Sequence, residues 1–87
     1  MYIENSLDWA SVHTSLRRTV QTKVSDVRNK HQLLKILENI DNEVSFLSKA
    51  EVIARRGRRR DADNLLEQIN QDIHSLEEFI LVAALIG

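Results

Sequence analysis

No proline interrupts this chain, and its only internal glycine is Gly57. Hairpins, tight turns and long connections draw on those two residues for their special backbone angles, so a chain almost without them is poorly suited to a sheet. Its 87 residues are 43% hydrophobic, with 26 Leu, Ile and Val, which is too apolar for a disordered segment even at 29% charge. The expectation is one small all-α domain, 1–87, with no space for a second.

Three stretches carry helical periodicity. In the first, Trp9, Val12, Leu16, Val20, Val24 and Val27 recur at steps of three and four, one apolar stripe on a helix over about 6–28. Asn5 or Ser6 can cap its start, Asp8 suits the positive end of its dipole, and Asn29 can terminate it. The turn then falls within 28–32. If no break occurs there, a single helix over 6–56 makes the molecule a long two-helix hairpin instead of an up-down-up three-helix bundle.

The second helix, about 31–56, has a seam of Leu33, Leu37, Ile40, Val44, Leu47, Glu51 and Ala54, widened by Leu34, Ile36, Phe46, Ala50 and Ile53. The third, about 59–86, has the cleanest seam: Ala62, Leu66, Ile69, Ile73, Leu76, Ile80 and Ala83, with Asp61 or Asp63 as candidate caps. It ends on eight consecutive apolar residues, Phe79 to Ile86, apolar on every face. In an up-down-up bundle only Val20, Val24 and Val27 lie beside that end, too little to cover it. Completion by oligomerisation, as a homodimer or larger assembly, is therefore expected.

The net charge of −1 hides a strong segregation. Residues 1–36 sum to +3, 37–54 to −3, 55–60 to +5, and 61–87 to −6 with no Lys or Arg at all. An up-down-up order sets Arg17, Arg18, Lys23 and Arg28 near the acid-only third helix. The run Arg55, Arg56, Gly57, Arg58, Arg59, Arg60 is the one concentrated charge. Five guanidinium groups there can bind phosphate through bidentate hydrogen bonds, dock an acidic protein, or act only as counter-charge at a helix end. No aromatic residue is interleaved with them for base stacking.

Other chemistry is thin. Cysteine is absent, which excludes thiol catalysis and disulfides and points to a cytoplasmic protein, as does a first decapeptide unlike a secretory signal. His74, Glu77 and Glu78 have a metal-compatible helical spacing but lack the second carboxylate set of a bundle metal site. His13 stands near Ser11 and Ser15 at spacings that face apart, and no nucleophile elbow, phosphate loop or dinucleotide motif occurs. No cofactor is expected, and eight apolar residues flanked by Glu77 and Glu78 argue against membrane insertion.

The function expected from these features is non-enzymatic: a small helical interaction module, adaptor or regulator, using Leu66, Ile69, Ile73, Leu76, Phe79, Ile80 and Leu85 against a partner helix. Two alternatives are a nucleic-acid-binding regulator acting through Arg55, Arg56, Arg58, Arg59 and Arg60, and an acidic inhibitor or immunity-type protein blocking a basic partner through Asp61, Asp63, Glu67 and Asp72.

Overall fold

The computed structural model describes residues 1–54 and 59–86. Among the described residues there are three α-helices, α1 (Trp9–Lys23), α2 (Val27–Ala54) and α3 (Arg59–Ile86), a short 3-10 turn at Ser6–Asp8, and no strand. The fold is an all-α three-helix bundle, 47 × 17 × 16 Å. Its long dimension is that of a 28-residue helix at 1.5 Å per residue, about 42 Å. α3 has the span expected from its seam, although Asp61 stands inside its first turn instead of capping it.

The chain does break between the first two helices, which removes the two-helix alternative, but it breaks earlier than 28–32. Val24 leaves the helix in an extended conformation, φ −100° and ψ 117°, while its amide still donates to the Val20 carbonyl. Asp26 then starts α2 by accepting the Asn29 amide at 2.9 Å. A β-branched residue that tolerates extended backbone and an aspartate that caps the next helix thus replace glycine and proline. Asn29 is in α2 and terminates nothing. Val24 is buried from the linker, and Val27, expected on the α1 stripe, is exposed.

α2 and α3 pack antiparallel. Leu33, Leu37, Ile40, Val44 and Leu47 meet Ala62, Ile69, Ile73, Leu76, Ile80 and Ala83, all buried. Along this seam Glu43 faces Asp72, and Leu47 lies beside Ala62 and Leu66. α1 runs opposite to α2: the Trp9 indole Nε1 donates to Asp41 at 2.8 Å, and Arg17, two turns on, lies beside Leu34 and Glu38. Up-down-up order follows. The expected pairing of α1 cations with α3 acids is not what holds it. Among the described residues no ion pair joins Arg17, Arg18, Lys23 or Arg28 to α3, and Arg17 shares a cleft with Glu38 and Asp41 of α2 instead.

The first five residues, which carry no periodicity, form a strap along α3. Ile3 is completely buried, and its peptide is held at two points: its amide donates to Asn70 Oδ1 at 2.8 Å and its carbonyl accepts from Asn70 Nδ2 at 2.9 Å. The Met1 ammonium reaches Glu77 at 2.6 Å, and the Ser6 amide donates to Glu51 at 3.0 Å, with the Ser6 hydroxyl on the other oxygen of the same carboxylate. The strap therefore descends α3, turns, and returns as α1. Asn5 caps the turn by accepting the Leu7 amide at 2.9 Å, while Asp8 accepts from Glu4. The strap, not α1, lies against Asn70 and Glu77 of α3.

Trp9 accordingly bridges to α2, its ring 5.5 Å from that of His13. Trp9→Phe keeps most of the buried ring and deletes one hydrogen bond, a loss of about 1 kcal/mol. The expected melting temperature is lower by roughly 4–8 °C with unchanged helicity, read by circular dichroism. An unchanged melt would show that the Asp41 bond contributes nothing.

Candidate interaction surface

The α2–α3 seam has two flanks, and the fold treats them differently. On one, α2 presents Leu34 and Asp41 and α3 presents Asp63, Asn70 and Glu77. That flank is covered, by α1 on Asp41 and Leu34 and by the strap on Asn70 and Glu77. On the other, seven-residue steps place Ile36, Glu43 and Ala50 on α2 and Leu65, Asp72, Phe79 and Ile86 on α3. Phe46, Ile53 and Val82 border them. Among the described residues nothing covers this flank: Phe46 is 62% exposed, Phe79 53% and Ile86 78%, while Ile36, Ala50 and Leu65 are half-buried against the seam.

The flank is apolar at both ends and acidic in the middle. Glu43 and Asp72 sit within hydrogen-bonding reach of each other across the two helices. Partial burial, the hydrogen bond to Asp72 and the repulsion of its charge together push the Glu43 carboxyl up to about 7. Gln68 Nε2 donates to Asp72 Oδ1 at 3.0 Å, and Lys49 Nζ lies over the Phe46 ring at 5.7 Å from its centroid. Because the carboxyl is raised in the folded state above its ordinary 4.5, the pair favours folding most below pH 4.5, and that contribution is lost as pH rises through about 7.

The chain matches no protein-family model, no curated protein and no solved structure. What it can do must therefore be read from its own surfaces.

The seven side chains offered to a partner from the sequence divide into two groups. Ile69, Ile73, Leu76 and Ile80 are buried in the core of the chain itself, and Leu66 is half-buried beside Tyr2 of the strap. Their seam is already occupied by α2, because a strict heptad stripe is what a neighbouring helix in the same chain also requires. Only Phe79 and Leu85 remain exposed. The apolar end of α3 is covered on one side, through Ile80 and Ala83, and open at Leu81, Val82, Leu85 and Ile86.

Sequence reasoning missed Ile36, Phe46, Ile53 and Val82 as surface, and Glu43 with Asp72 as a pair. A signal for the flank was present in the seven-residue repeats of Ile36, Glu43, Ala50 and of Leu65, Asp72, Phe79, Ile86. No signal marked which of the two flanks would stay open.

Of the arginine cluster, Arg55, Arg56 and Arg58 lie outside the described residues. Arg59 and Arg60 are exposed in the first turn of α3, where Arg59 shares a cleft with Glu4, Glu51 and Asp63. Those carboxylates oppose the approach of a phosphate. Asp61, Asp63 and Glu67 are exposed, whereas Asp72 is half-buried opposite Glu43. His74 is an exposed partner of Glu78 at 3.2 Å, and Glu77 is engaged by Met1. Among the described residues no group of three His, Asp or Glu is placed to hold a metal, and no helix is long and apolar enough to cross a membrane.

Proposed function

We propose that this chain is a non-enzymatic, cytoplasmic protein-interaction module, acting by taking a helix of another chain onto the uncovered flank of α2 and α3. One observation carries the reading: among the described residues nothing covers the flank whose two apolar ends, Ile53 with Leu65 and Ile36 with Phe79 and Ile86, enclose Glu43 and Asp72. Large apolar patches are rare on soluble monomers and mark interaction sites. Two antiparallel helices with one open groove are also the standard receptor for an amphipathic third or fourth helix. The interaction residues are then Ile36, Phe46, Ile53, Phe79 and Val82, with the α3 seam as their rigid support.

Site-specific photo-crosslinking in the source cells tests this. A benzophenone side chain in place of Phe79 is expected to give a discrete protein adduct, and the same group in place of Gln21 on exposed α1 is not. Equal patterns from both positions would remove the flank as the functional surface. Light scattering on the purified protein tells whether a second copy is the partner.

A further inference from the structure

We infer that the occupant of the open flank is an amphipathic helix of a partner protein carrying a Lys or Arg at the centre of its apolar face, seated over Glu43 and Asp72. This rests on the reading of the flank as an interaction surface and adds the chemistry of what it receives. The apolar positions run from Ile36 to Ile53, a rise of roughly 26 Å, so a helix of about five turns covers them. Glu43 lies seven residues from Ile36 and seven from Ala50, and Asp72 seven from both Leu65 and Phe79. A helix lying along the groove must therefore place apolar residues at both ends and meet two carboxyls in the middle.

Among the described residues neither Glu43 nor Asp72 makes an ion pair. Asp72 is the charged group that faces Glu43 from α3, with the Gln68 amide on Asp72. The nearest basic residue of α2 toward its far end, Lys49, is turned to the Phe46 ring. α1 and the strap pack against the opposite flank, where His13 and Arg17 share a cleft with Glu38 and Asp41, and Glu4 one with Glu51, Arg59 and Asp63.

An apolar partner helix would desolvate two acids without compensation, which is costly. A second copy of this chain is worse. Whether its two-fold axis lies along the helices or across them, full overlap of the apolar ends brings a second Glu43–Asp72 pair onto the first. A central cation resolves both problems, donating to a carboxylate on each side at little reorganisation.

The sign of the proton linkage separates the occupants. A seated cation favours the ionised pair and expels the proton that Glu43 retains up to about pH 7, so binding tightens as pH rises. A second copy brings two Glu43 carboxyls together and needs them protonated, so self-association tightens as pH falls.

The test uses the full chain and three synthetic 21-residue helices with the same Leu and Ala stripe and a central Lys, Leu or Glu, with affinities measured by calorimetry at pH 6 and pH 8. The Lys-centred helix is expected to bind at least tenfold more tightly than the Glu-centred one at pH 8. It should gain about tenfold between pH 6 and pH 8, and lose both the preference and the pH dependence in Glu43→Gln/Asp72→Asn, whose melt confirms folding. Equal affinity for all three helices overturns the central cation and leaves the flank reading standing. Doubling of the protein's own mass on acidification to pH 6 overturns it in favour of a second copy. Binding of none of the helices, together with equal crosslinking from positions 79 and 21, overturns the inference and the flank reading together.

Discussion

Ile73→Asp is expected to unfold the monomer, while Phe79→Asp, under two turns further along the same helix, leaves its melting temperature nearly unchanged. Both residues belong to the apolar set of α3, yet Ile73 is 0% exposed between α2 and α3 and Phe79 is 53% exposed on the open flank. Truncation of a fully buried isoleucine costs about 2–5 kcal/mol. A carboxylate in its place adds the cost of an unpaired buried charge, and the total approaches the roughly 5–15 kcal/mol by which a domain is stable. A charge at Phe79 stays within about 0.5 kcal/mol of neutral because water reaches it. Far-ultraviolet circular dichroism with thermal melts separates the two. A helical, cooperatively melting Ile73→Asp monomer would contradict the burial of the α3 seam.

The second large effect is expected from the strap. Ile3→Ala should destabilise by about 2–5 kcal/mol, as much as a substitution in the helical core, although Ile3 belongs to no helix. Its side chain is completely buried, and its peptide is fixed by the Asn70 amide through both a donated and an accepted hydrogen bond. Asn70→Ala leaves that amide and carbonyl without their partner, at about 1–3 kcal/mol, and the double variant should lose less than the sum because each change releases the same segment. Amide exchange supplies an independent reading: the Ile3 amide is expected to be protected in the parent and to exchange at the rate of an open chain in Asn70→Ala. Fast exchange in the parent would show that the strap does not hold the bundle.

The open flank and the covered one illustrate where sequence periodicity stops being informative. In α2 the stripe is bordered by Leu34 on one side and Ile36 on the other, and both look like margins of a core. The difference arises because Trp9 bonds to Asp41, which follows Leu34 on the first flank, and Ile3 bonds to Asn70, which lies on the matching flank of α3. Each of these choices is made by a contact between residues 32 to 67 positions apart. The same holds for Glu43 and Asp72, unremarkable acids in their own segments, of which Asp72 raises the Glu43 carboxyl only when the helices are laid side by side.

The turn between α1 and α2 has a more local lesson. The polar run over 28–32 is the natural place to expect a break, but a polar stretch continues a helix without penalty when its residues face solvent, as Arg28 and His31 do. The break falls where a side chain can cap the next helix, at Asp26, and where a buried valine anchors the extended link.

By itself, then, the sequence determined that this protein is all-α, and that Leu33 to Leu47 and Ala62 to Ala83 are each the apolar stripe of a helix. These follow from a missing set of turn residues and from a 3.6-residue repeat, which are properties of single segments. Only the tertiary structure decided that the α3 seam is satisfied within the chain, that α1 and five aperiodic residues close one flank, and that among the described residues the other is left open around a pair of acids. Burial is a relation between segments. An apolar stripe states that a helix must be covered, whereas the element that covers it is selected by shape, reach and hydrogen bonds that no single segment contains.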